Sequence, residues 1–149
     1  MSVSSSISSL LHHKGSQIWT IAPEATVFDA IQMMADKNVG ALLVMDGVRL
    51  VGVISERDYT RKVALKGKSS KQTAVREILS PQCPSARPGD TVEDCMRKMT
   101  EHRVRHLPVV EGERVIGVVS IGDLVNWIIS AQDTTIRQLE SYIAGGYAA

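Results

Sequence analysis

Laid on itself so that Pro23 meets Pro88, the chain matches Thr26 with Thr91, Val27 with Val92 and Asp29 with Asp94. Without a gap the series continues through Gly47 on Gly112, Arg49 on Arg114, Gly52 on Gly117, Ser55 on Ser120 and Asp58 on Asp123. Most positions between these exchange one apolar residue for another, which is how a duplicated supersecondary unit reads. The duplication restricts the fold to two similar halves. A length of 149 residues leaves room for one compact domain or two intimate halves, and not for two unrelated large domains.

Each copy carries the same local signals in the same order. Thr26 and Thr91 are N-cap residues ahead of apolar faces, Val27, Ala30, Ile31 and Met34 in one copy and Val92, Cys95, Met96 and Met99 in the other. Their shared spacing puts each set on one side of a helix. Ala41 to Met45 and Leu107 to Val110 are short apolar runs suited to buried strands, each leading to an acidic residue and a glycine that predict a hairpin turn. Leu50 to Ile54 and Val115 to Val119 read as return strands, and a second helix starts near Ser55 or Ser120. With Ile18 to Ile21 and the stretch from Cys83 to Ala86 as leading strands, each copy is β-α-β-β-α. A three-stranded sheet this small buries too little alone, so the expected α+β architecture packs the halves sheet to sheet about a pseudo-twofold axis. The divisions that follow are an N-terminal lead-in (1–16), repeat one (17–65), a linker with a short helix (66–79), repeat two (80–130) and a C-terminal tail helix (131–149).

The chemistry concentrates where each return strand hands over to a helix. There the chain reads Ser55-Glu56-Arg57-Asp58 in copy one and Ser120-Ile121-Gly122-Asp123 in copy two. A serine at N-cap with aspartate three residues on presents a hydroxyl, a carboxylate and unpaired backbone N–H groups at the open end of a βα unit. Such a carboxylate can accept from the two vicinal hydroxyls of a ribose, while helix N–H groups and a nearby arginine can meet phosphate. The competing reading is a capping box and nothing more. Recurrence in both copies, with Arg57, Arg61 and Lys62 beside the first, favours a site.

A second constellation runs from Glu101 to Pro108 and carries His102, Arg103, Arg105 and His106 around Val104. Solvated charges at a helix end would explain it, yet His106 opens an apolar strand where an idle imidazole is costly to desolvate. The matching stretch of copy one, Lys37 to Ala41, is nearly uncharged, so two clefts of unequal charge are expected.

Other classes of function lack support. The formal charge of +1, with acids and bases interspersed, supplies no basic field for nucleic acid. No window approaches the roughly 18 consecutive apolar residues of a membrane helix, and the N-terminus has no signal-peptide pattern, so a cytoplasmic protein is expected. No phosphate-binding glycine loop, dinucleotide fingerprint or catalytic triad is legible. His12 and His13 point to different sides of any regular element, without a third ligand nearby. Cys83 and Cys95 lack metal spacing and are expected to stay reduced.

The duplicated unit, the strand from Arg105 to Val110 and the paired Gly-h-h-Ser-x-x-Asp endings, where h is apolar, resemble tandem CBS (cystathionine β-synthase) domains over about residues 17 to 130. The resemblance implies a disc-shaped, non-enzymatic regulatory module, dimeric in many members, with clefts between the repeats for AMP, ADP, ATP, NAD or S-adenosylmethionine. Carried over residue by residue, it implies that Ser55 and Asp58 face one ribose and Ser120 and Asp123 the other. Arg105 and His106, helped by Arg57 or Arg61, would reach phosphate in the cleft whose aspartate belongs to the other repeat, and Val39 and Val104 would lie beside adenine. Gly40 to Leu43 departs from the pattern, since many members carry a basic pair and a proline there. More narrowly, the chain resembles a group of small proteobacterial CBS-pair proteins.

Two expectations follow, a sensor that signals adenine-nucleotide occupancy to a homodimer interface or an unidentified regulated protein, and a structural dimerisation scaffold with vestigial clefts. An enzyme acting on bound nucleotide would need a base and a nucleophile that the sequence does not offer. The apolar series Ile128, Ile129, Ile136, Leu139 and Ile143 reads either as a tail helix packed on its own module or as a dimer or partner contact. Ile7, Leu10 and Leu11 share one helical face in a frayed or short amphipathic lead-in.

Overall fold

The computed structural model describes residues 2–15, 17–80 and 82–143, without the side chains of 133–135 and 142. Helix α1 (Ile7–Lys14) is followed by β1 (Thr20–Ile21), α2 (Val27–Lys37), β2 (Ala41–Asp46), β3 (Arg49–Ser55) and α3 (Glu56–Tyr59), which continues as a π turn over Thr60–Ala64. A short 3-10 turn, Val75–Ile78, precedes α4 (Val92–His102), β4 (His106–Glu111), β5 (Arg114–Ser120) and α5 (Ile121–Ile143).

The two repeats agree in detail. Thr26 and Thr91 cap α2 and α4 by accepting the N–H of Asp29 and Asp94, at 3.1 and 3.0 Å. Both helices end on a left-handed residue, Asn38 at φ 54° and Arg103 at φ 55°. Gly47 and Gly112, each at φ 63°, stand first in the two-residue hairpin loops, where a positive φ matches strand twist. The β2–β3 and β4–β5 ladders even share a bulge, which falls between Val44 and Met45 in one and between Val109 and Val110 in the other.

Each repeat has its own core. Val27, Ala30, Met34, Leu42, Val44 and Ile54 fill the first, and Val92, Cys95, Met99, Leu107, Val109 and Val119 the second. The repeats pack sheet to sheet with Gly40 against the imidazole of His106, where a Cβ on the glycine would stand 3.7 Å from Cε1.

Three expectations need correction. The leading strands are shorter than read: β1 is two residues, paired parallel to β2, and in repeat two only Ala86 bridges to Val109. Proline explains the second case: in repeat one Leu43 donates its N–H to the carbonyl of Trp19 at 3.1 Å, and its equivalent in repeat two, Pro108, has no N–H to give. The N-terminal segment is no frayed lead-in. Ile7, Leu10 and Leu11 are buried in the core of repeat two, and a bridge joins Ser6 to Thr91. The turn before repeat two does the same for repeat one, with Val75 and Ile78 in its core and a bridge from Ala74 to Thr26. Each repeat is therefore completed by the segment that precedes the other. Finally, the tail helix has no start of its own, since α5 runs unbroken from the second helix of repeat two to Ile143. The remainder of the expected tail, 144–149, lies outside the described residues.

Candidate functional site: two clefts between the repeats

The helix starts that follow β3 and β5 are capping boxes and cleft walls at once. Asp58 Oδ2 accepts the N–H and the hydroxyl of Ser55 at 2.9 and 3.0 Å, and Ser55 Oγ accepts the N–H of Asp58 at 3.2 Å. In repeat two Asp123 Oδ2 accepts the N–H of Ser120 at 2.8 Å, and Ser120 Oγ accepts that of Asp123 at 3.1 Å. Capping fixes the rotamer of each carboxylate at the mouth of a cleft shared by both repeats.

The cleft around Asp58 is about 500 Å³ and brings Ser55, Arg57, Asp58 and Arg61 of repeat one against Val104, Arg105 and His106 of repeat two. All seven are residues singled out from sequence. Arg57 lies within the capped turn, whereas Arg61 and Lys62 come from the π turn, which is closed by the N–H of Leu65 on the carbonyl of Thr60 at 3.0 Å. Lys62 approaches Asp58 Oδ1 at 3.4 Å and donates to the carbonyl of Ile78 at 2.9 Å. The cleft around Asp123 is about 400 Å³ and gathers Ser120 and Asp123 with Val39 of repeat one. His106 lines both clefts.

Their charges differ. Arg57, Arg61, Lys62, Arg103 and Arg105 line the Asp58 cleft, against the acids Glu56 and Asp58. Among the described lining residues of the Asp123 cleft the lysines and arginines reduce to Lys14. Volumes of this size suit a nucleotide, and a carboxylate facing several guanidinium groups suits a ligand with a diol at one end and anionic oxygens at the other. Burial pushes the pKa of His106 below its ordinary value, so its ring enters the clefts as a neutral donor and acceptor.

Of the lining residues that the sequence reading did not make site members, three bear on the chemistry. Lys14 reaches Asp123 Oδ2 at 2.6 Å from a segment read as a lead-in. Trp19 lines the Asp123 cleft with the ammonium of Lys37 4.4 Å from its ring centroid. Arg103 belonged to a recognised basic cluster, and its left-handed conformation lets it line the Asp58 cleft beside Arg105. The remaining candidates stay structural. His13 meets Trp127 edge to face at 5.9 Å, and among the described residues no group of histidine, cysteine, aspartate and glutamate could hold a metal ion. Cys95 is buried, with its thiol pushed up to about 11, chiefly by desolvation. Among the described residues no helix is long and apolar enough to cross a membrane.

Comparison with known proteins agrees with this architecture. The family model of the CBS domain matches residues 14–65 and 75–130. The chain is 39% identical over 138 residues to the CBS domain-containing protein CBSX3 of Arabidopsis thaliana, covering 89% of this chain and 66% of that protein. It is 33% identical over 108 residues to the CBS domain-containing protein YhcV of Bacillus subtilis, covering 72% of this chain and 76% of that protein. Among solved structures, a CBS-domain protein from Burkholderia ambifaria superimposes with a TM-score of 0.82 at 44% identity, covering 86% of this chain and 96% of the other. Relatives in a plant and in Bacillus widen the kinship beyond the proteobacterial group that the sequence suggested. The chain belongs to the CBS domain family as a tandem pair.

Proposed function

We propose that the chain is a cytoplasmic sensor that holds an adenine nucleotide between its repeats and passes that occupancy to a dimer interface or a regulated protein. The observation that carries this reading is the Asp58 cleft, where the capped carboxylate of one repeat faces Arg103, Val104, Arg105 and His106 of the other. A ligand there touches both repeats, so its binding energy can differ between two arrangements of the halves, which is what signalling requires. In this reading Ser55 and Asp58 take the ribose, Val104 lies beside adenine, and Arg57, Arg61, Arg105 and His106 meet phosphate. Ser120, Asp123 and Val39 do the corresponding work in the second cleft. AMP is the foremost ligand, with ADP, ATP, NAD and S-adenosylmethionine as the others.

The CBS domain pair of the protein MJ0100, 21% identical with a TM-score of 0.74, is solved in complex with 5′-methylthioadenosine and S-adenosyl-L-methionine, which supports adenosyl ligands for this fold. For assembly, a CBS-CP12 protein from bloom-forming cyanobacteria is hexameric. In this chain Val125, Ile129, Ile136, Leu139 and Ile143 are exposed along α5. That stripe favours a homodimer, and it also sustains the rival reading of a scaffold whose clefts bind nothing.

Calorimetric titration of nucleotide-free protein with AMP, ATP, NAD and S-adenosylmethionine separates the two. The sensor predicts saturable binding that weakens about tenfold or more in Asp58→Asn, a substitution that retains an oxygen for the cap and loses the charge. Heatless titrations of folded protein with all four would leave the scaffold.

A further inference from the structure

Each cleft aspartate has a lysine beside it, and the two lysines come from unrelated places in the chain. Asp58 is approached by Lys62, one helical turn further on. The position equivalent to Lys62 in repeat two is Trp127, whose Nε1–H donates to the carbonyl of Ser2 at 3.0 Å and whose ring packs into the core of that repeat. Repeat two has thus lost the cation from its own helix. Asp123 nevertheless has one, because Lys14 at the end of α1 reaches in from 109 residues away. Each lysine also donates to a backbone carbonyl, Lys62 to that of Ile78 and Lys14 to that of Val118, each at 2.9 Å.

Stability gives a weak reason for a second lysine at this place. The side chains of Lys14 and Asp123 are 31% and 24% exposed, and partly solvated ion pairs add little to folding. The bonding pattern suggests a different use. Ser120 N–H and Lys14 both fall on Oδ2 of Asp123, which leaves Oδ1 to accept from a ligand hydroxyl. An ammonium has three N–H donors, and the carboxylate and the Val118 carbonyl take two. The third remains for an anionic group in a cleft whose described lining holds no other lysine or arginine.

We propose that Lys14 is a ligand-binding residue of the Asp123 cleft and makes that cleft selective for a nucleoside monophosphate over the uncharged nucleoside. This inference rests on the nucleotide reading of the clefts and adds a residue and a ligand charge to it. A single ammonium suits a single phosphate, whereas the five lysines and arginines of the Asp58 cleft suit a longer phosphate chain. Helix α1 becomes part of the site as well as of the core.

The test uses the full chain, with wild type, Lys14→Met and Lys14→Arg titrated with AMP and with adenosine. Calorimetry gives affinities, and in a Trp127→Phe background of each variant the fluorescence of Trp19, which lines this cleft and not the other, reports where binding occurs. Thermal unfolding of each variant confirms that it is folded. The expected result is an AMP affinity about tenfold or more weaker at the Trp19-reporting site in Lys14→Met, adenosine changed by less than about twofold, and the AMP preference kept in Lys14→Arg. Equal losses for AMP and adenosine would mean that Lys14 only positions Asp123, and an unchanged AMP affinity would remove it from the site; either overturns the inference. Wild-type protein that binds neither ligand overturns the nucleotide reading itself, and this inference with it.

Discussion

Leu11 covers Gly117 so closely that a Cβ on the glycine would stand 2.8 Å from the leucine Cδ2. Leu79 covers Gly52 in the other repeat, with the corresponding distance 3.2 Å. These contacts are where the segment preceding each repeat locks onto the return strand of the other. Gly117→Ala must push aside a leucine held in a core, so it is expected to cost about 1–3 kcal/mol. Gly52→Ala should cost less. Urea midpoints at constant m-value measure both, and a silent Gly117→Ala would contradict the exchange of segments as a source of stability.

Arg103 holds a left-handed backbone that its equivalent, Asn38, adopts with less strain. Arg103→Gly should relieve that strain and raise stability by up to about 1 kcal/mol. The same substitution removes a guanidinium from the Asp58 cleft and should weaken ATP binding more than adenosine binding. Stability and affinity moving in opposite directions is the signature to look for. A fall in both would show that the arginine supports the helix end rather than a ligand.

His106 titrates below its ordinary value of 6.5 because burial disfavours the imidazolium, while Asp123 and Glu56 pull the pKa up and Lys14 and Arg105 push it down. The unfolded chain therefore takes up this proton at a higher pH than the folded one. Its contribution makes stability fall as pH drops through 6.5 and level off below the folded value. An anionic ligand beside the ring raises the folded pKa, so binding should take up protons in that window. NMR titration of the His106 ring with and without AMP tests both; a pKa above 6.5 in the free protein would refute the burial argument.

Ile129, Ile136 and Ile143 recur every seven residues along α5, with Leu139 between the last two and Val125 four residues before the first, on the same side. β-Branched residues alternating with leucine or valine at this period are the seam of a two-stranded coiled coil. If this seam holds the proposed homodimer, Ile136→Glu with Leu139→Glu should give a monomer in sedimentation equilibrium and leave the circular dichroism of the repeats intact. A dimer that survives both charges would put self-association elsewhere, and a monomeric wild type would refute the homodimer.

Much of the fold was legible because duplication supplies its own control. A cap such as Thr26 is weak evidence alone and strong when Thr91 repeats it, and the strand order, turns and helix faces followed from local spacing. The Asp58 cleft was legible too, since its residues cluster in two short motifs. Lys14 and Trp19 were not, because neither has a counterpart of its own type at the equivalent position, and only the packing of α1 on repeat two brings Lys14 to Asp123. The match of Ser6 to Leu11 with Ala74 to Leu79 needs a different offset from the rest of the repeat, so an ungapped comparison passes over it.

The sequence by itself determined the two halves, their elements and the capped aspartates, all of which depend on neighbours within a few residues. Tertiary structure decided which segment completes which repeat, how unequal the two clefts are and which lysine guards Asp123. Those follow from contacts between residues distant in the chain: local spacing puts Leu11 on an apolar helix face without naming the strand it covers, and nothing beside Lys14 in the sequence points to Asp123.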